Sequence, residues 1–360
     1  MLRRFGPRKN AYRGVMDTHA DPALTAPGAR FGPGAVPAVI AAARRLGALG
    51  PPLPPPAEEH VPRPGMRHSK ARDARAISHH YDVGNDFYRL VLGPAMTYSC
   101  ARFVEPGMDL AAAQAAKHDL ICRKLGLHRR SGARLLDVGC GWGSLAIHAA
   151  THYDVSVVGI TISEEQVALA RRRVADAGLS GRVDIRLQDY RDVRGETFDA
   201  IASVGMFEHV GARRMARYFE RLHRLLAPTG RLLNHAISSV DGSAMRGRSF
   251  MGRYVFPDGE LIDVTATQRA MQSVGFEIRD VESLREHYAL TLRHWVANLE
   301  ADWRRAVELV GAPRARIWRL YMAGSALGFE DGGINVHQVL GVRTADDGTS
   351  GMPPTRRDWN

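Results

Sequence analysis

Short apolar runs alternate with amphipathic segments through the middle of the chain. From residue 134 onward, runs of strand length are interspersed with longer segments whose apolar positions lie three or four residues apart. The first predicted strand ends at residue 138, and four more cover 156–160, 183–187, 198–204 and 231–237. The predicted helices cover 144–153, 163–178 and 212–226. This alternation predicts an α/β fold with a doubly wound parallel sheet, in which ligands bind at the carboxyl ends of the strands.

Amphipathic patterns also flank this region. Before it, Asn85 or Asp86 is the predicted cap of a helix that turns Tyr88 toward the core. Further helices are predicted at 109–127, 265–274, 286–309 and 315–329, and further strands at 275–283 and 336–343. The segment 239–261 combines basic and apolar residues and is predicted to form a lid.

The chain divides by composition into three parts. Residues 1–75 form a basic extension, rich in proline and glycine, that is predicted to be largely disordered or extended. Within it, residues 35–49 fit a short helix that packs either on the main domain or on a membrane interface, and both readings stay open. Residues 76–344 are the predicted main domain, and residues 345–360 form a polar tail predicted to fray.

Most of the positive charge of the chain lies at its N-terminal end. The chain has 360 residues, is 45% hydrophobic and carries a formal net charge of +11. Residues 1–78 hold thirteen Lys or Arg against five Asp or Glu, a net charge of +8. Such a segment prefers an anionic surface. Because few aromatic residues lie among its basic ones, an anionic membrane is expected as partner and nucleic acid is not.

Cysteine usage and hydropathy restrict the location of the protein. Cys100, Cys122 and Cys140 are too few and too scattered for a disulfide framework or a zinc knuckle, so a reducing compartment and no metal site are expected. No apolar run approaches the roughly eighteen residues that span a bilayer, and the basic start lacks the apolar stretch of a secretion signal. The prediction is a cytoplasmic protein that binds membranes peripherally.

Residues 135–143, Leu-Leu-Asp-Val-Gly-Cys-Gly-Trp-Gly, join the end of a predicted strand to the start of a helix. Gly139, Gly141 and Gly143 permit a sharp turn and close approach of a ligand, while the first N–H groups of the helix offer donors to an anion. The spacing differs from the Gly-x-Gly-x-x-Gly of dinucleotide-binding folds. Asp137 suits the ammonium of the amino acid part of S-adenosylmethionine (SAM).

Five motifs in this order resemble the cyclopropane fatty acid synthase family, which includes the mycolic acid cyclopropane synthases. The motifs are His-Tyr-Asp-Val-Gly-Asn-Asp-Phe-Tyr at 80–88, Tyr-Ser-Cys at 98–100, residues 135–143, Gly-Met-Phe-Glu-His-Val-Gly at 205–211 and His-Tyr-Ala-Leu-Thr-Leu at 287–292. The resemblance covers roughly residues 76–342. It implies a class I SAM-dependent methyltransferase fold, Rossmann-like, with helical lid and acyl-binding insertions, that acts on a cis double bond in phospholipid acyl chains.

The resemblance also implies which residues form the site. The cofactor-binding residues would be Tyr98, Ser99, Asp137, Gly139, Gly141, Trp142, Gly143, Thr161, Ile162, Ser163, Gln166, Asp189 and Tyr190. A second set would hold a bicarbonate ion and serve catalysis: Cys100, Glu208, His235, Ile237 and Tyr288. Some relatives carry a cysteine in the late helix where this chain has Ser325, so a cysteine nucleophile there is not expected.

The chemistry implied by the resemblance explains a use for bicarbonate. An alkene that takes up the methyl group becomes a carbocation, and the new methyl must lose a proton before a cyclopropane ring closes. An oxyanion can accept that proton, and a dry site keeps water from capturing the cation. Aromatic faces at Trp142, Phe207 and Tyr288 could stabilise the cation.

Several alternatives stay open. The same cation could give a methylene branch, which a reductase partner would convert to methyl, and a homodimer is also kept open. A small-molecule methyltransferase acting on nitrogen or oxygen would share the cofactor half, and an RNA-associated protein would use the basic extension. Glu208 and His209 could simply cap a helix. Three arginines in the lid could form a solvated face or a phosphate site: Arg246, Arg248 and Arg253.

Overall fold

The computed structural model describes residue 59 and residues 83–240, 249–256 and 259–359. Its centre is a sheet in the order β3-β2-β1-β4-β5-β7-β6, and the strands are β1 Ala133–Val138, β2 Val155–Thr161, β3 Val183–Leu187, β4 Phe198–Val204, β5 Leu226–Ser239, β6 Phe276–Ser283 and β7 Ile334–Arg343. Strands β1 to β5 pair in parallel, and β7 runs antiparallel to both β5 and β6. The predicted doubly wound α/β sheet is confirmed.

The helices fall into those that cover the sheet and those that form a separate cap. In chain order they are α1 Asn85–Leu92, α2 Leu110–Leu125, α3 Ser144–His152, α4 Glu164–Asp176, α5 Met215–Leu225, α6 Phe250–Tyr254, α7 Val264–Ser273, α8 Arg285–Ala301, α9 Trp303–Val310 and α10 Ala312–Glu330. Among these described helices, none is long and apolar enough to cross a membrane.

Alternation along each strand builds two cores on opposite faces of the sheet. On β1, Leu135 packs with one apolar cluster and Leu136 with the other. Ala200 and Ile201 on β4 divide in the same way. A third cluster lies among α1, α8 and α10 and contains the fully buried ring of Trp295. The cap is therefore held by its own core beside the sheet.

Strand β1 lies between β2 and β4, which places the carboxyl end of β1 at a switch in strand order. Asp137 is in register with Gly159 on β2 and Ala202 on β4. The connections from β1 and β4 leave this point in different directions, so a crevice opens there. The glycine-rich loop and the 205–211 motif both begin at this crevice.

Two predicted helices differ in the structure. Gly84 occupies the N-cap of α1 without a side-chain cap, whereas the Asn85 side chain accepts a hydrogen bond from Trp142 Nε1 at 2.8 Å. The single helix predicted at 286–309 is two helices, because the backbone of Asp302 leaves the helical region with φ −125° and ψ 47°. The break lets α9 pack against α1 and α10. Local periodicity could not show either tertiary contact.

The fraying predicted for the tail is wrong at its end. Trp359 is 6% exposed and packs into the sheet core beside α2. The Arg231 guanidinium donates a hydrogen bond to the Gly351 carbonyl at 2.9 Å, and Arg356 lies over the Trp359 ring. These contacts hold residues 351–359 against the domain.

Other predictions lie outside the described residues. These are the character of the 1–75 extension apart from residue 59, the helix at 35–49, the first three residues of the 80–88 motif, and Arg246 and Arg248.

Candidate active site

The glycine-rich loop turns away from β1 as its sequence predicts. Gly139 and Gly141 have φ values of +77° and +54°, which L side chains rarely adopt. A Cβ at Gly139 would lie 3.2 Å from the Cβ of Met206, so a side chain there would also be crowded. The N–H groups of Gly139 and Cys140 both donate to the Ile160 carbonyl, which fixes the loop to β2.

Asp137 occupies the end of β1 beneath this loop. Its side chain is 3% exposed, and its Oδ2 atom has no hydrogen-bond partner. Burial raises the pKa of this carboxyl to about 7, and the nearby Lys117 ammonium opposes the shift. A buried acceptor without a donor is costly, so this carboxylate is suited to a cationic ligand group.

A cavity whose wall contains several charged and hydrogen-bonding side chains, here called the polar cavity, surrounds the loop and Asp137. Most of the predicted cofactor residues line it: Tyr98, Ser99, Asp137, Gly139, Gly141, Trp142, Thr161, Ile162, Gln166, Asp189 and Tyr190. Gly143 and Ser163 are not among its lining residues. Gly143 is the N-cap residue of α3, and Ser163 caps α4 by accepting the Gln166 N–H at 3.3 Å. These two residues shape the loops behind the cavity wall.

Two side chains that line the far end of the cavity are already paired within the protein. Thr161 donates to Gln166 Oε1 at 2.6 Å. Asp189 pairs with the Arg191 guanidinium at 2.6 Å and also accepts the Arg191 N–H at 2.8 Å. Arg191 lines the cavity as well, and the sequence analysis missed it.

A polar wall on α2 was also not predicted from the sequence. Lys117 and His118 line the cavity, and both side chains are buried. One turn earlier, Gln114 donates to the Ser99 carbonyl at 2.9 Å. The signal that could have found this wall is a run of polar residues on a helix face that otherwise carries apolar ones.

A second, apolar cavity of about 860 Å³ lies beside the first, within the size range of ligand pockets. Its wall comes from β5, the 205–211 motif, α6, α8 and α10. Tyr98, Gly205 and His209 line both cavities. The Tyr98 hydroxyl lies 2.9 Å from the hydroxyl of Tyr321, which lines the apolar cavity. The two spaces therefore adjoin at a shared wall.

Three predicted catalytic residues line the apolar cavity: Glu208, Ile237 and Tyr288. Glu208 Oε1 accepts the Ile237 N–H at 2.7 Å, whereas its Oε2 atom is buried without a partner. Burial raises the Glu208 pKa to about 7. The Tyr288 ring packs against Phe329 with centroids 4.6 Å apart. Ser325 lines the same cavity on α10.

Cys100 and His235 are not among the described residues that line either cavity. The Cys100 thiol donates to the Ala101 carbonyl at 3.2 Å, and burial raises its pKa, so it is a buried neutral group. His235 Nδ1 lies 3.3 Å from Gln338 Nε2, and burial lowers the His235 pKa to about 3. Its Nε2 atom is buried without a partner.

The aromatic residues expected near the cation separate into two groups. Trp142 lines the polar cavity and Tyr288 lines the apolar one. Phe207 does not line either cavity, because its ring is buried between Tyr218 and Phe219 in the sheet core. Stabilisation of a cation by Phe207 is therefore not supported by its position.

Comparisons with known proteins agree with this geometry. The family model described as "Mycolic acid cyclopropane synthetase" matches residues 68–339. A "Probable fatty acid methyltransferase" of Pseudomonas putida is 48% identical over 306 residues, which cover 84% of this chain and 77% of the relative. The "Cyclopropane-fatty-acyl-phospholipid synthase" of Escherichia coli (strain K12) is 38% identical over 280 residues, covering 78% and 71%.

A solved structure is similar over the same region. It is that of "mycolic acid cyclopropane synthase CmaA1 complexed with SAH and CTAB", which is 36% identical and superposes with a TM-score of 0.70, covering 74% of this chain and 97% of the other. The class I SAM-dependent methyltransferase fold implied by the sequence motifs is thereby confirmed.

Proposed function

The chain belongs to the mycolic acid cyclopropane synthetase family, and from this premise we propose that it alkylates the cis double bond of phospholipid acyl chains. One observation carries the proposal: a polar cavity at the glycine loop adjoins a large apolar cavity through Tyr98, Gly205 and His209. A methyl donor and an acyl chain held in these two spaces would meet at the shared wall. Such positioning alone supplies a large part of a rate enhancement.

The polar cavity fits SAM by its donor and acceptor set. When bound there, SAM would supply an electrophilic methyl group. Asp137 Oδ2 lacks a hydrogen-bond partner and would accept the cofactor ammonium. Trp142 contributes an apolar wall, and its Nε1 is held by Asn85 at 2.8 Å. The SAH-bound relative supports this assignment.

The apolar cavity fits the alkene half of the reaction. An alkene carbon that accepts a methyl group leaves a cation on its neighbour, and apolar walls such as Leu292 and Phe329 keep water from that cation. The site needs a base that accepts a proton from the new methyl group. The fit to bicarbonate rests on Glu208 Oε2, a buried atom without a partner on a residue that lines this cavity. Bicarbonate held there would supply that oxyanion.

Glu208 would orient the ion by accepting its hydrogen. Its Oε1 atom is already held by the Ile237 N–H, which leaves Oε2 for this contact. Because Oε1 accepts the Ile237 N–H, a neutral Glu208 would carry its proton on Oε2 and donate there, so the accepting role depends on pH near the raised pKa of Glu208. His235 Nε2 is also buried without a partner and could donate in the appropriate tautomer, although His235 does not line the described cavity walls.

Loss of a proton from the added methyl group would close a cyclopropane ring, which is the leading proposal. In the alternative, a hydride from the methylated carbon shifts to the cationic carbon, and proton loss from the methyl then leaves a methylene branch. The name of the Pseudomonas putida relative, "Probable fatty acid methyltransferase", is compatible with both products. A reductase partner would then convert the methylene to a methyl group.

We further infer that the opening of the apolar cavity faces an anionic membrane. Leu320 lines the cavity and is 60% exposed, which suits contact with lipid. Arg253 on α6 is half-exposed and pairs with Glu59 at 3.4 Å. A lipid phosphate would compete with Glu59 for this guanidinium. Sedimentation with anionic vesicles tests the contact: Leu320→Ser should weaken it, and equal binding to neutral vesicles would contradict it.

Proton NMR of the products tests the proposed reaction. Purified protein is incubated with SAM, bicarbonate and dioleoyl phosphatidylglycerol vesicles, and the fatty acids are then extracted. Upfield ring protons are the expected result, and vinylidene protons would select the branching alternative. Unchanged oleate in a protein that binds S-adenosylhomocysteine would reject the lipid substrate and favour a small-molecule methyltransferase.

A further inference from the structure

Lys117 is a charged residue in an unusual position. It lies on α2, is 1% exposed and lines the polar cavity together with Asp137. Lysine is rarely buried to this extent unless its ammonium has a partner. The described residues offer it a hydroxyl, because Lys117 Nζ donates to Ser99 Oγ at 3.0 Å. An ammonium has three donors, so this single bond leaves most of its capacity unused.

Asp137, which lines the same cavity, is a carboxylate of which one oxygen lacks a hydrogen-bond donor. Its Oδ2 atom is buried without a partner. Burial lowers the Lys117 pKa to about 7 and raises the Asp137 pKa to about 7, so each charged form is poorly solvated here. A cavity with one under-bonded cation and one under-bonded anion is complementary to a zwitterion.

We propose that Lys117 binds the α-carboxylate of the amino acid part of the cofactor, while Asp137 accepts its α-ammonium. The inference rests on the proposed function for the identity of the cofactor. A charge-assisted bond from Nζ would satisfy the ammonium and fix the amino acid end of the ligand. The bond from Lys117 Nζ would not contribute to binding of the adenosine end.

A purely structural role for Lys117 is the competing explanation. It would hold Ser99 at the cavity wall. However, Gln114 already holds this segment, with Nε2 donating to the Ser99 carbonyl at 2.9 Å and reaching the Thr97 carbonyl at 3.4 Å. The Lys117 bond goes to the hydroxyl of Ser99, a residue that lines the cavity. Its ammonium is thus placed where a ligand can reach it.

Calorimetric binding of three ligands separates these explanations. S-adenosylhomocysteine carries the whole amino acid, its decarboxylated analogue lacks only the carboxylate, and 5′-methylthioadenosine lacks the amino acid group. For Lys117→Met we expect S-adenosylhomocysteine affinity to fall by about tenfold to a hundredfold. We expect the affinities of the other two ligands to change less than about threefold. Arg172→Met, which removes an exposed cation of α4, is the charge-matched control and should change none of them.

Each outcome has one meaning. Equal losses for all three ligands in Lys117→Met would overturn the proposal in favour of a structural role, and unchanged S-adenosylhomocysteine binding would also overturn it. If Lys117→Met does not fold, as judged by thermal unfolding, Lys117→Arg replaces it and should keep the preference for the carboxylate-bearing ligand. Loss of that preference in a folded Lys117→Arg protein would count against the proposal. Failure of the wild-type protein to bind S-adenosylhomocysteine would instead reject the proposed cofactor.

Discussion

Gly324 offers a test of the apolar cavity that separates stability from activity. It lies in the interior of α10, lines the cavity, and a Cβ built on it would meet nothing within 4 Å. Glycine in a helix interior costs about 1 kcal/mol relative to alanine. Gly324→Ala should therefore stabilise the protein by up to about 1 kcal/mol, a rise of roughly 2 °C in Tm, and leave turnover nearly unchanged.

Gly324→Phe should affect the substrate instead. Its ring would enter the cavity and displace at least two methylene groups of an acyl chain, each worth about 0.8 kcal/mol of burial. This loss corresponds to roughly a tenfold fall in kcat/KM for oleoyl lipid. Gly328→Ala on the same helix is the control, because Gly328 is not a lining residue and its Cβ would meet only Ile334 at 3.4 Å.

Two measurements decide the outcome of this series. Thermal unfolding gives the change in stability, and gas chromatography of extracted fatty acids gives turnover. Unchanged turnover of oleoyl lipid by a folded Gly324→Phe protein would refute the assignment of this cavity to the acyl chain. So would an equal loss of turnover in Gly328→Ala.

Three further predictions concern Glu208, Lys124 and Asn85. Because burial raises the Glu208 pKa to about 7, its carboxylate forms as pH rises, so kcat/KM should increase through about pH 7. Glu208→Gln should lower kcat/KM about a hundredfold. A Glu208→Gln protein with the same pH profile as the wild type would count against the role. Lys124 Nζ lies 2.8 Å from buried Asp280 Oδ2 and also pairs with Glu282, while Arg356 pairs with Asp280 Oδ1 at 3.2 Å. Lys124→Met should therefore destabilise by about 3 kcal/mol in urea unfolding, with partial recovery in a double variant carrying Asp280→Asn. A loss below about 1 kcal/mol would contradict this. Asn85→Ala removes the 2.8 Å hydrogen bond that positions the Trp142 indole and should weaken S-adenosylhomocysteine binding about tenfold by calorimetry. Unaltered affinity would show that this bond does not shape the cavity.

Local patterns were sufficient to predict the sheet. Each predicted strand from 133 to 343 is present, because buried strands and amphipathic helices differ in period and the turns between them carry glycine or proline. The glycine-rich loop could also be predicted from local sequence. Its positive φ values at Gly139 and Gly141 follow from residue type. These features depend on neighbours in sequence.

Features that depend on contacts between residues far apart in the chain could not be predicted from local sequence patterns. Asn85 is a good cap residue, but its side chain is used by Trp142, which is 57 positions away. Burial of Lys117 arises only when α2 packs against α3 and the strands β4 and β5, so its sequence neighbours do not reveal it. The family resemblance likewise implies that Cys100 and His235 belong to the site, without showing that both lie outside the described cavity linings.

The fate of the transferred methyl hydrogens distinguishes alkene alkylation with proton loss from simple methyl transfer. Purified protein is given SAM with a trideuterated methyl group and dioleoyl phosphatidylglycerol vesicles, and the extracted fatty acids are analysed by mass spectrometry. Ring closure and methylene formation both remove one hydrogen from that group, so we expect two deuterium atoms in each alkylated acyl chain. Retention of all three deuterium atoms in the product, or label found only in small molecules, would contradict alkene alkylation followed by loss of a proton from the new methyl.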